Sequence, residues 1–240
     1  MAATSTSFTI DQEPISSPRA ILCEGAQDRN FFQELIKARN LPDFYVTHPH
    51  FEIEPGGRGG YSARLRSMKL QVGWDNLQGI IVVSDNDSDP AGSFQMVRRL
   101  VHEASLTPPN QPLTIKSGSP SIAIMMLPAT DTNGQLETLC LQAIRAAWPS
   151  KFRCAESYAA CAEIVGVPER AWSQNKREKA MLRALISHIC KKDPNTSLAH
   201  LWHDGRELVI PLADNCFDEI ANFLRDFDEI VAAGRALAGG

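Results

Sequence analysis

Four carboxylates stand in two short groups able to share a divalent cation: Glu24 with Asp28, and Asp85 with Asp87. A helix starting near residue 24 brings Glu24 and Asp28 onto one face, because residues four apart overlie one another. The two-residue step from Asp85 to Asp87 lets an extended chain turn both side chains toward one point. Four such groups repel unless neutralised, and a hard cation with oxygen ligands, Mg²⁺ (or Mn²⁺), is the ordinary remedy. Such an ion can activate water and stabilise charge on a leaving oxygen. Each group taken alone has a plainer explanation. Asp85 to Pro90 reads as a solvated turn, and Glu24 as a helix-start charge on the macrodipole.

What favours a shared site is the elements that must carry these residues. Arg19 to Cys23 is a short apolar run that ends at Glu24-Gly25. A helix follows, with Phe31, Phe32, Leu35 and Ile36 at helical spacing, closing near Asn40-Leu41-Pro42. A second strand is expected over Phe44 to Ile53, then the glycine turn Gly56 to Gly60 and a basic helix from Tyr61 to Leu70. Gly79 to Ser84 is β-branched and uncharged, a strand buried on both faces, which Asp85-Asn86-Asp87-Ser88-Asp89-Pro90 breaks. Ala91 to Ala104 reads as a helix, with further strands at Leu113 to Lys116 and Ile122 to Leu127. Strands alternating with helices predict an α/β fold, a parallel sheet covered by helices. Ligands bind such sheets beyond the carboxyl ends of strands, and both acidic groups stand at such ends. From Gly134 onward the pattern is mostly helical, over Gln135 to Ala147, Ala155 to Val165, Asn175 to Cys190 and Phe217 to Leu237. The expected organisation is a flexible lead-in (1–18), a catalytic core (19–148) and a helical C-terminal lobe (149–240) that completes the site.

The net charge of −4 and pI near 5.9 argue against a generically basic nucleic-acid binder. Carboxylates that hold cations nevertheless count as negative while presenting positive charge to a substrate. The basic residues are also bunched: Arg58, Arg64, Arg66 and Lys69; Arg98 and Arg99; Lys176, Arg177 and Lys179; Lys191 and Lys192. The six cysteines contain no CxxC pair, which argues against a zinc knuckle or disulfide scaffold and for apolar residues in a reducing cytoplasm. His48 with His50, and His200 with His203, lack a third clustered ligand. No run is long and apolar enough to span a membrane, and no secretory signal is read in Met1 to Pro18.

The stretch Ile21-Leu22-Cys23-Glu24-Gly25-Ala26-Gln27-Asp28, followed by Phe31-Phe32, resembles the first motif of the TOPRIM domain, and Ile80 to Asp87 resembles the second. More narrowly, Arg19 to Leu224 is similar to the TOPRIM part of OLD-family nucleases and their small stand-alone relatives. The turn Gly56 to Gly60, the Gly-x-Leu-Glu of Gly134 to Glu137, and Lys179 opening an apolar helix fit the same pattern. This resemblance implies divalent-metal-dependent cleavage of phosphodiester bonds in DNA or RNA with two ions, in a bacterial defence setting. It implies Glu24, Asp28, Asp85 and Asp87 as metal ligands, Glu137 as a further ligand and Asp89 as a third or outer ligand. Lys179 is then the residue at the scissile phosphate, with Lys176 as its alternate. Apart from the resemblance, Glu137 reads as a helix-start carboxylate and Lys179 as part of a solvated helix face. Arg58, Arg64, Arg66 and Lys176 are the expected nucleic-acid contacts.

The chain departs from OLD nucleases in lacking G-x-x-x-x-G-K-[ST], so nucleotide control would come from a separate ATPase subunit. Tyr45, Tyr61 and Tyr158 suggest no topoisomerase-type nucleophile domain. Two other readings stay open. One is a non-catalytic TOPRIM nucleic-acid-binding or regulatory module; a homo-oligomer is compatible with either function. The other is a phosphoacceptor receiver using Lys116, which leaves Glu24-Gly25 unexplained.

Overall fold

The computed structural model describes residues 13–50, 55–165, 172–190, 196, 198, 201 and 209–238. Its sheet has five strands, β1 (Arg19–Leu22), β2 (Tyr45–Thr47), β3 (Gly79–Asp85), β4 (Ile115–Lys116) and β5 (Ser121–Leu127), in the order β2-β1-β3-β5-β4. The first three and β5 are parallel; β4 lies antiparallel on the edge beside β5. The fold is therefore α/β with a mostly parallel sheet, and the all-parallel expectation is corrected at one edge. The strand expected over Leu113 to Lys116 is only two residues long. Of the strand expected over Phe44 to Ile53, Tyr45–Thr47 forms, and residues 51–53 lie outside the described ones.

Seven helices are described: α1 (Ala26–Ala38), α2 (Tyr61–Met68), α3 (Pro90–Glu103), α4 (Leu136–Ala147), α5 (Pro149–Val165), α6 (Gln174–Ile189) and α7 (Asp218–Ala238). Strand alternation sorts the core into two faces. Ile21, Cys23, Ile81, Val83, Ala123 and Met125 meet α1, α4, α6 and α7, while Ala20, Leu22, Ile80, Val82, Ile122 and Ile124 meet α2 and α3. The central strand β3 is thus covered on both sides, as its uncharged sequence requires. The helices beyond residue 148 share the first of these cores, with Phe152, Leu182, Leu185 and Leu224 in one apolar cluster with the sheet.

Two local expectations change. α5 begins at Pro149 rather than Ala155, since proline is well suited to the first helical position. The lead-in is not loose throughout: Ile15 is buried and its N–H donates to Val72 O, while the Ser17 hydroxyl donates to Asp43 O. Among the described residues no helix is long and apolar enough to cross a membrane.

Candidate metal centre

Parallel register places the two acidic groups side by side. Leu22 pairs with Val82, so the chain leaving β1 delivers Glu24 beside Ser84 and Asp85 at the end of β3. Glu24 Oε1 accepts from the Asp85 N–H at 3.1 Å and from Ser84 Oγ at 2.5 Å. Asp28, in the first turn of α1, accepts the Gly25 N–H at 3.1 Å. Asp85 Oδ1 accepts the Leu136 N–H at 3.0 Å, so the start of α4 points at a carboxylate, as its positive end favours.

Glu137 arrives through a short antiparallel bridge. The Asp87 N–H donates to Gly134 O at 2.8 Å, and the Gly134 N–H donates back at 2.7 Å. Gly134 has φ +135°, and a Cβ there would stand 2.5 Å from Thr138 Oγ1. Only glycine makes this turn without strain, and the turn aims α4, with Glu137 in its first turn, at the end of β3. Asn86 stitches the neighbouring loop by donating to Ala129 O and Thr132 O.

The electrostatics show the crowding. Burial, and then the charges of Glu24 and Glu137, push the Asp28 carboxyl up to about 7. Asp85 is raised well above its ordinary value, first by burial and then by Asp28, Glu24 and Glu137. Burial also raises Glu137, against the Lys179 ammonium 4.0 Å away. Asp28 and Asp85 are half-buried. Oxygen donors that repel one another suit a hard divalent cation. Asp28, Asp85 and Glu137 could hold one, with Glu24 alongside. As placed, no three of the described His, Cys, Asp or Glu side chains share a single ion's reach, so seating an ion requires these carboxylates to close in.

A family model described as "Protein of unknown function (DUF3226)" matches residues 18–227. The chain belongs to the DUF3226 family. No curated protein matches it, and no solved structure does. Every candidate residue from Glu24 to Lys179 falls within the matched span.

Several expected roles in this DUF3226 chain are corrected. Asp89 is exposed and caps α3, accepting the Gly92 N–H at 3.0 Å through Oδ1. Arg64 is 1% exposed and donates to Thr47 Oγ1 and the Tyr45 hydroxyl, so it is a core residue and not a phosphate contact. Arg66 donates to Glu103 O at the last turn of α3. That helix runs 14 residues away from the end of β3, about 20 Å, so Arg66 stands at the opposite end of the sheet from the carboxylates. Arg58 does reach the centre, but as an internal counter-charge, paired with Glu24 at 3.1 Å and Asp87 at 3.0 Å. Lys176 is exposed on α6, one turn from Lys179. Asp87 lies at the rim, in the left-handed region with φ +53°, held by Arg58 and by Asn175 Nδ2 at 2.8 Å.

Asn175 and Ser84 are therefore site residues that motif reading omits, and neither has a sequence signature of its own. Of the histidines, His48 donates to Pro49 O and its ring lies 5.9 Å from that of His50. His200, His203, Lys191 and Lys192 lie outside the described residues.

Proposed function

We propose that this chain is a divalent-metal-dependent nuclease of TOPRIM type that cleaves phosphodiester bonds of DNA or RNA. The observation that carries this reading is the meeting of Glu24, Asp28, Asp85 and Glu137 at the carboxyl ends of β1 and β3, with Lys179 against Glu137. Keeping such charges together costs stability that a structural role does not require. Bound Mg²⁺ or Mn²⁺ supplies Lewis-acid activation of water and charge stabilisation on the leaving oxygen. The protein's own residues do the positioning. The Leu136 and Gly25 N–H groups fix one oxygen each of Asp85 and Asp28. Lys179 provides a cation for the scissile phosphate. From Lys179 a groove of about 620 Å³ continues along α6, lined by Lys176 and Arg183 with Tyr158 and Trp172. Cations interleaved with aromatic faces suit a strand's phosphates and bases, which supports nucleic acid as substrate despite the acidic whole.

The test is incubation with plasmid and single-stranded DNA and RNA, with Mg²⁺, with Mn²⁺ and with EDTA, for wild type and Asp85→Asn. Cleavage that needs the ion and is lost in the variant supports the proposal; no cleavage of any substrate with either ion counts against it. The pairing of Glu24 and Asp87 by Arg58 favours a second reading, a binding module without turnover. That reading expects nucleic-acid binding with no cleavage in the same assay.

A further inference from the structure

Arg58 is the most heavily engaged side chain of the centre. Nε donates to Glu24 Oε1 at 3.1 Å and to Ser84 Oγ at 2.8 Å, and Nη1 donates to Ser93 Oγ at 3.1 Å. Nη2 donates to Asp85 O at 2.5 Å and to Asp87 Oδ2 at 3.0 Å. Three of these five acceptors are uncharged, and the side chain is 14% exposed. The guanidinium is therefore anchored by the fold, and its position does not depend on the charge state of the acids. Its planar fork matches two carboxylates at fixed separation, as an ammonium cannot.

The consequence is a division of the acidic cluster into two halves. In one half, Glu24 accepts from Arg58, Ser84 and the Asp85 N–H, all through Oε1, while its Oε2 has no hydrogen-bond donor among the described residues, so that Glu24 borders both halves. Both Asp87 oxygens are taken, Oδ2 by Arg58 and Oδ1 by Asn175. In the other half, Asp28 and Asp85 each use one oxygen on a backbone N–H. Among the described residues, Asp85 Oδ2 has no hydrogen-bond donor, and Glu137, besides its own backbone N–H and the more distant charge of Arg183, faces the Lys179 ammonium at the outer limit of an ion pair.

We propose that the centre takes a single divalent cation, on the side of Asp28, Asp85 and Glu137, because Arg58 stands as a built-in cation between Glu24 and Asp87 where a second ion would sit. This rests on the metal-dependent reading above and replaces its expectation of two ions. Arg58 acts through the carboxylates it holds, as a positioning residue: it keeps Glu24 and Asp87 in place and repels a second ion by like charge at contact distance. Catalysis would then use one ion with Lys179 and Arg58 as fixed charges.

The experiment counts Mn²⁺ on the full chain by the loss of the free-ion electron paramagnetic resonance signal, with Asp85→Asn and Arg58→Gln in parallel and circular dichroism as the check on folding. Expected are one Mn²⁺ per wild-type chain, loss of at least tenfold in affinity for Asp85→Asn, and a second Mn²⁺ for Arg58→Gln, whose side chain is neutral. Two ions on the wild type, or one on a folded Arg58→Gln, overturn the inference and leave the metal-dependent reading standing. No Mn²⁺ on the wild type overturns that reading and this inference with it. If Arg58→Gln does not fold, the wild-type count decides alone.

Discussion

At the scale of single residues, the centre and the core use charge in opposite ways. Asp85 is a carboxyl that the fold holds against its own solvation and against its neighbours. Asp85→Asn keeps an oxygen for the Leu136 N–H and removes the charge. Metal-free, at pH 8, the variant should be more stable than wild type, measured by urea denaturation in EDTA, while its cleavage activity falls by about 10² or more. Unchanged stability would mean that the carboxylate is not strained. Arg64 is the reverse case, a guanidinium spent on structure. Arg64→Ala should cost about 2–4 kcal/mol through lost packing and lost bonds to Thr47 and Tyr45. The salt dependence of nucleic-acid binding should stay as in wild type; a slope smaller by about one would return Arg64 to the substrate path. These two residues also show what sequence makes legible. Glu24, Asp28 and Asp85 can be singled out because each closes or follows an apolar element, whereas Glu137 is legible only through the family resemblance. Arg58 and Arg64 read alike in a basic segment, since partner geometry across 17 to 35 residues leaves no local periodicity.

At the scale of elements, the strands and helices flanking the site follow the apolar periodicity closely, β3 and α3 to within a residue. The departures lie where a short edge strand or a proline-led helix carries little pattern, at β4 and at the start of α5. The turn before α4 is the element on which Glu137 depends. Gly134→Ala should destabilise by about 1–3 kcal/mol, because an L side chain at that φ is strained and its Cβ meets Thr138. Its Mn²⁺ affinity should also drop, which a titration reads directly; full affinity would show that the turn does not set Glu137. On α6, Lys176→Glu with Arg183→Glu places two acids in the groove. Affinity for a fluorescent oligonucleotide in EDTA should fall, and its dependence on salt should flatten by about 0.7 per removed phosphate contact for a single strand. Identical curves for variant and wild type would send the substrate elsewhere.

At the scale of the whole molecule, pH and metal should oppose each other. Asp28 is raised from 3.8 to about 7 and Asp85 is raised with it, so the folded protein binds protons that the unfolded chain releases. Stability in EDTA should therefore be greatest at acid pH and decline as pH rises through the window from 3.8 to about 7. Mg²⁺ needs the deprotonated forms, so its stabilising effect should be largest above that window. Melting temperatures from pH 4 to 8, with Mg²⁺ and with EDTA, test both limbs; parallel curves would separate the carboxylates from any ion. The last helix adds a consequence in time. A Cβ on Gly79, at the start of β3, would lie 2.6 Å from the ring of Phe227 on α7. Phe227 lies far along the chain from every carboxylate of the centre, and a domain's earlier segments emerge first from the ribosome. During synthesis, Glu24 through Lys179 exist for many residues beneath an uncovered face of the sheet. The sheet face that α7 covers is thus closed last, at the end of β3 opposite the carboxylates.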